Sequence, residues 1–308
     1  MNPVPVFGNL SHRAKVFALL IILLLGTLIG TAMVYLFSVL VWGKDALNGL
    51  ISEDPQQRLN MLRMAQIISQ LFIFILPVFL FAWLTEQKPL RTLGFIKPRG
   101  RLFIVALLII PLAGPMINEL IHWNEALHLP QSFSGLEAWM KSSEENAAKL
   151  TEDFLSATGW KTLWINLLMI GILPALGEEL LFRPVMIGML RKYFRAPHWP
   201  VIISSLIFSA IHLQFFGFLP RFVLGLILGY LYVWSGSVWL PMIAHFVNNG
   251  SAVIISFLYY NHFINTSPEA MGETSGMPLV MLSAMLTAGL LLITRQQGIS
   301  VSPRGRKL

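Results

Sequence analysis

Glu178 and Glu179 stand side by side, with Arg183 four residues on, inside a largely apolar run from Leu163 to Leu190. Each ionisable group near a bilayer centre costs roughly 2.5–3.5 kcal/mol on insertion scales, so three cost about 8–10 kcal/mol before any pairing. A purely structural helix has little reason to carry that load, whereas a buried reaction site does. On a helix Glu179 and Arg183 share a face and neutralise each other. Glu178 then lies about 100° round the axis, free to face something else. Two more polar pairs lie downstream in apolar runs: Phe208 with His212, then His245 with Asn249. Members of each pair are four apart and stack on one helical face.

Spacing joins the first two groups. The runs holding Glu178 and His212 form an expected antiparallel hairpin turning near Arg195-Ala196-Pro197, and each residue is 17 positions from Arg195. At 1.5 Å per residue both sit roughly 25 Å from the turn, hence at matching depth, as a facing carboxylate–imidazole pair requires. Taken singly, each residue has a plainer reading. His212 would be an interfacial histidine capping a helix end, His245 and Asn249 interhelical hydrogen-bond glue, and Glu179–Arg183 a structural pair that orients its neighbour. Together these readings fare poorly, because three separate helices would each need an unrelated reason to bury polar groups.

The elements that must position these residues follow from composition. The 308 residues are 55% hydrophobic and only 12% charged, with mean hydropathy +0.67; a soluble domain usually carries about 25% charged residues. The chain reads as an all-α polytopic membrane protein. Cysteine is absent, which excludes disulfides, thiolate zinc sites and a cysteine nucleophile. The net charge of +7 fits membrane insertion rather than a nucleic-acid partner. The apolar run from Val16 to Trp42 is too long for a signal-peptide core of about 7–15 residues and is expected as a retained first span.

Runs able to cross about 30 Å of hydrocarbon fall near 16–42, 64–84, 102–121, 162–190, 200–214, 219–235, 238–260 and 277–294. That predicts eight helices, the fifth short and the third shortened by Pro111 and Pro115. Gly217 and Pro220 separate the fifth from the sixth. With both termini inside, fourteen basic residues fall on the cytoplasmic side and seven, among them Lys44 and Arg63, on the other. That bias is the positive-inside pattern of an N-in, C-in protein of the cell membrane. The polar connection 121–160 then lies outside, either as a solvated loop with a short helix or as a substrate-gating lid. Its aromatics Trp123, Phe133 and Trp139 are suited to the membrane surface. Gly26-x-x-x-Gly30 and Gly225-x-x-x-Gly229 permit close helix approach without fixing an oligomeric state.

Glu178-Glu179-x-x-x-Arg183, Phe208-x-x-x-His212 and His245-x-x-x-Asn249, each on its own membrane helix and in that order, resemble the CAAX protease and bacteriocin-processing family of intramembrane proteases (CPBP, Abi, Rce1-type). The resemblance covers about residues 161–260. It marks that segment as a catalytic core, preceded by three spans and a polar loop in 1–160 and followed by the last span and a basic tail in 261–308. It implies hydrolysis of peptide bonds in membrane-embedded or lipid-anchored substrates, including prenylated CAAX-type proteins. Glu178 would be the general base, His212 would help bind and activate water, and His245 and Asn249 would stabilise the oxyanion. Glu179, Arg183 and Phe208 would support them.

No cofactor is expected. Zinc held by Glu178, His212, His245 and Asn249 is the alternative, although a His-Glu-x-x-His motif is absent. Two other functions compete: a non-catalytic scaffold or immunity protein of the same family, and a transporter in which Glu178 and His212 form a proton relay.

Overall fold

The computed structural model describes residues 5–43, 54–194, 196–268, 270–272 and 276–298. Lys44, Arg195 and the tail residues Arg304, Arg306 and Lys307, which enter the charge-bias argument, lie outside the described residues. The main helices are α1 (His12–Trp42), α2 (Pro55–Thr85), α3 (Gly100–Glu125), α4 (Ser134–Leu155), α5 (Trp160–Leu190), α6 (His198–Ala210), α7 (Phe218–Ser235), α8 (Trp239–Tyr260) and α9 (Met277–Gln297). Seven of these are long and apolar enough to cross a membrane, and α6 is a shorter apolar helix. No strand occurs among the described residues. The protein is an all-α, multi-pass integral membrane protein.

The boundaries have local causes. Ser11 caps α1, its Oγ accepting from the Ala14 N–H at 3.3 Å. Asp54 caps α2 by accepting from the Gln56 N–H at 3.0 Å, with Pro55 at the first helical position. This early start corrects the expected span at 64–84. Arg63, assigned to an outer loop, instead sits within α2, buried. Its Nη2 donates to the Phe154 carbonyl near the C-terminal end of α4 at 3.4 Å, and Asn166 Nδ2 donates to the same oxygen at 2.7 Å. Gly236, at φ +71°, ends α7 in the left-handed region.

The expected shortening of the third span by prolines is also corrected. Helix α3 runs through both Pro111 and Pro115 for 26 residues. A hydroxyl from α9 bridges the interrupted ladder: the Met116 N–H donates to Ser283 Oγ at 3.2 Å, and Ser283 Oγ donates to the Leu112 carbonyl at 2.6 Å. A proline-broken helix survives in a membrane when a neighbour re-satisfies its freed backbone groups in this way.

Helix α5 is the centre of the molecule. Of its apolar window 67% is buried, against 17% for α1 and for α9. One core joins Val78 of α2, Leu180 and Phe182 of α5, Val201 of α6 and Val233 of α7. A second joins Ala106 and Ile109 of α3, Leu228 of α7 and Leu240 of α8. Both small-residue motifs serve packing within the chain. A Cβ at Gly225 would stand 3.0 Å from Ser205 Cβ, and one at Gly229 would stand 2.8 Å from Val201 Cγ1, so α6 lies directly on α7. At Gly30 a Cβ would stand 2.8 Å from Phe72 Cβ, which places α1 against α2.

Candidate active site

Three π-helical turns interrupt the helices around the polar cluster: Gln70–Ile75 in α2, and Leu167–Ile172 and Leu181–Ile187 in α5. Such turns add a residue per turn and re-aim side chains, and they are frequent at functional sites. Between the two in α5 lies the ordinary helical stretch Leu173–Leu180 that carries both glutamates. It packs tightly on α2, since a Cβ at Gly177 would stand 2.8 Å from Phe74 Cβ and 3.0 Å from Ile75 Cγ1.

The expected pairing of Glu179 with Arg183 is present and fully buried. Arg183 Nε donates to Glu179 Oε2 at 2.6 Å and Nη2 to Glu179 Oε1 at 3.2 Å, with both side chains 0% exposed. Nη1 donates to the Gly225 carbonyl at 3.2 Å, and the guanidinium lies 5.2 Å from the centre of the Phe208 ring. The pair is thus bidentate, hydrogen-bonded on its remaining edge and stacked, the arrangement a charge pair needs in a low-dielectric interior.

Glu179 Oε1 also faces His245 Nδ1 at 2.9 Å. A carboxylate only accepts, so Nδ1 carries the hydrogen and Nε2 is left to face the site. Nε2 lies 4.0 Å from Glu178 Oε2 and 3.3 Å from Asn249 Nδ2. Asn249 Nδ2 also donates to the Ile170 carbonyl, in the first π turn of α5, at 2.9 Å. Glu178, Glu179, Arg183, His245 and Asn249 therefore form one contiguous cluster across α5 and α8.

The hairpin of α5 and α6 forms at the expected depth. Phe182 and Phe208, equidistant in sequence from position 195, meet edge to face at 5.2 Å, and Ser204 Oγ donates to the Phe182 carbonyl at 3.0 Å. The expected facing of Glu178 and His212 is different in detail. Among the described residues the imidazole within ion-pair distance of Glu178 is that of His245. Helix α6 ends at Ala210 rather than 214, and Leu213 takes a φ of +53°, so His212 sits in a turn past the helix end. There its Nδ1 donates to the Phe208 carbonyl at 2.7 Å, which leaves Nε2 as an acceptor. Phe208 links the groups: its ring lies 5.1 Å from that of His212 and 6.1 Å from that of His245.

Burial grades across the cluster. Glu179 and Arg183 are sealed, Glu178 and His245 are 7% and 3% exposed, and His212 and Asn249 are half-buried. The last two are thus the least buried of the cluster. Over the loop after His212 lies α4, where Glu144 Oε2 accepts from the Phe216 N–H at 2.8 Å and Trp139 meets Phe215 at 5.6 Å. The polar connection is thus mainly one 22-residue helix braced to that loop. The zinc alternative fits poorly: a zinc ion needs its ligands about 2.0–2.3 Å from one point, whereas the Asn249 amide nitrogen points at His245 Nε2. No group of three His, Asp or Glu side chains suited to a metal occurs among the described residues.

One member of the site was not singled out from sequence. Gln70, in the π turn of α2, is 6% exposed, and its side chain hydrogen-bonds the Glu178 carboxylate. Its Oε1 is buried without a hydrogen-bond partner. The available signal was an amide set deeper than Gln66 in the apolar run 64–84.

Residues 160–251 match the family model for type II CAAX prenyl endopeptidase Rce1-like proteins. That stretch runs from the start of α5 into α8 and holds all seven residues singled out from the sequence. An uncharacterized protein of Bacillus subtilis (strain 168), YpbD, is 30% identical over 86 residues, covering 27% of this chain and 41% of its own length. The match thus spans about two fifths of that relative. No solved structure matches the chain. At family level the stretch 160–251 is endopeptidase-like, set in a multi-pass membrane protein.

Proposed function

We propose, from the Rce1-like stretch 160–251 and the buried cluster within it, that this chain is an intramembrane endopeptidase acting on membrane-embedded or lipid-anchored, CAAX-type substrates. The observation that carries the reading is Glu178. Its carboxylate is 7% exposed, beside an imidazole nitrogen at 4.0 Å, while the nearest arginine is bound to its neighbour Glu179. In this reading 161–260 is the catalytic core, 1–160 and 261–308 support it, and both termini face the cytoplasm of the cell membrane.

The chemistry needs no cofactor. Glu178 takes a proton from water as the water oxygen attacks the scissile carbonyl carbon, and returns it to the leaving nitrogen as the C–N bond breaks. A base so placed contributes about 10²–10⁴-fold. His212 holds the water through Nε2, which its Nδ1 bond to Phe208 leaves as an acceptor. Asn249 turns the hydrogen it now offers to His245 Nε2 towards the developing oxyanion. His245 joins it as an imidazolium, its Nε2 proton taken up from solvent before the reaction and its charge balanced by the flanking carboxylates of Glu178 and Glu179. Preorganised donors of this kind are each worth about 10²–10³ in rate.

The test is a terminus-resolved proteomic comparison of membranes carrying wild-type protein or Glu178→Gln at equal level. Precursors that accumulate uncut in the variant support the reading and name the substrates. If no terminus changes while deletion of the whole chain still has a phenotype, the endopeptidase reading fails and a scaffold takes its place.

A further inference from the structure

At the end of α5 remote from α4, a cavity of about 260 Å³ opens between the start of α1, the end of α2 and the last turns of α5. Its rim is basic. His12, Lys15 and Lys192 line it, and the charges of both lysines act on the His12 ring. Lys15 is already engaged, its Nζ donating to the Thr85 carbonyl at 3.3 Å and lying 3.6 Å from Glu86. Among the described residues no carboxylate pairs with Lys192. Both ring nitrogens of His12 are covered, and the one hydrogen-bond contact of the ring is with the Met189 backbone. Two lysines and an imidazole thus line a cavity whose one carboxylate, Glu86, is engaged by Lys15. Its walls are apolar, formed by residues such as Phe81, Val185 and Met189.

We propose that this cavity binds the phosphate of an anionic phospholipid. A basic rim over an apolar floor, set between the ends of membrane helices, is the form that anionic headgroup sites take. Lys192 supplies a donor to phosphate oxygens, the His12 ring a second when it carries a proton, and Lys15 adds charge without leaving Glu86. The volume lies below the roughly 300–1,000 Å³ of a whole small-molecule site. It suits a headgroup whose acyl chains run outside along the helices. The Glu178 cluster is not needed for this site. The wall contributed by Pro184 and Val185 directly follows Arg183, so a bound headgroup braces α5 beside the buried ion pair.

The test uses the full chain, purified and reconstituted in phosphatidylcholine vesicles with increasing phosphatidylglycerol, with retained lipid counted by native mass spectrometry. Wild-type protein retains phosphatidylglycerol selectively. Lys192→Gln and His12→Asn each weaken retention by about fivefold, and together by about 30-fold, on the usual worth of one basic group near anionic lipid. Lys149→Gln, on α4, leaves it unchanged. Equal loss in that control would assign retention to general surface charge and overturn the site. Inorganic phosphate at 10 mM in pure phosphatidylcholine leaves the melting temperature unmoved if the ligand is a lipid. A rise abolished by Lys192→Gln would assign the cavity to free phosphate and overturn the lipid reading. Melting of each variant in phosphatidylcholine alone, compared with wild type, separates lost binding from lost fold.

Discussion

Arg183→Met tests whether the ion pair under the site holds it together. The substitution keeps much of the side-chain length but removes the bonds to Glu179 at 2.6 and 3.2 Å and to the Gly225 carbonyl at 3.2 Å. It strands a carboxylate that is 0% exposed. Removing one partner of a buried pair costs about 3–5 kcal/mol, because the other charge stays desolvated. The double variant Glu179→Gln/Arg183→Met removes the stranded charge as well, while Gln still offers an oxygen to His245 Nδ1. Replacing both members of such a pair is often close to neutral. The double variant is therefore expected to recover most of the loss, leaving about 1–2 kcal/mol for the unpaired Gly225 carbonyl. Denaturant titration of the purified chain in mild detergent micelles, followed by circular dichroism, reads wild type, Arg183→Met, Glu179→Gln and the double variant. A single variant within about 1 kcal/mol of wild type would refute the reasoning, and so would a double variant as unstable as the sum of its singles.

Three further outcomes rest on named contacts. Gln70→Leu removes a hydrogen bond to the Glu178 carboxylate, worth about 1.5–3 kcal/mol for a charged partner. It should lower kcat for peptide cleavage by roughly 10–150-fold with KM little changed; a change confined to KM would place Gln70 in substrate binding instead. Glu137 accepts from Lys141 and the Leu129 N–H and bonds His128, and these contacts hold its pKa at about 2, below the ordinary 4.5. A depressed carboxylate pKa stabilises the fold above the unfolded value and loses that effect as pH falls through the folded one. The protection factor of the Leu129 amide, its exchange relative to the intrinsic rate at each pH, should therefore fall between about pH 4.5 and pH 2 in wild type, and be low and flat with pH in Glu137→Gln. Ser283→Ala leaves the Met116 N–H and the Leu112 carbonyl without their bridge. The expected loss is about 1–3 kcal/mol in the same denaturant titration, and an unchanged midpoint would show that the α3 ladder closes by itself.

The legible and the hidden parts of this molecule divide along a physical line. Apolar runs and i, i+4 spacing are local, and they placed the eight apolar helices and the Glu179–Arg183 pair. Depth along an antiparallel hairpin is nearly local too, and Phe182 meets Phe208 where equal spacing from the turn puts them. Rotation about a helix axis is not local once π turns intervene. Each inserted residue shifts the facing of all later side chains on the helix by about 100°, and α5 has such turns on both sides of Glu178. Equal depth along the hairpin set Glu178 level with His212, but depth leaves rotation open, and the imidazole near Glu178 is that of His245. Gln70 was hidden for the same reason, since it opens a π turn in α2 and a uniform helix assigns it no particular face. Pro111 and Pro115 misled in another way. Their cost depends on a hydroxyl from α9, more than 160 residues away, and no window along α3 contains it.

The grading of burial gives the cluster a direction. A charge pair fully sealed at 0% exposure sits beneath an imidazole at 3%, a carboxylate at 7%, and finally a histidine and an asparagine that are half open. The sealed end is fixed, because Glu179 gives one oxygen to Arg183 and shares the other between Arg183 and His245. It sets the His245 tautomer from below, as a supporting carboxylate does for a metal- or substrate-facing histidine. Asn249 and His212 belong to the less buried end. On the endopeptidase reading proposed above, this order would keep the stored charge firm and leave the less buried groups free to meet water and a peptide. The fully sealed pair, Glu179 and Arg183, thus lies beside Glu178 and holds the His245 ring through Glu179 Oε1.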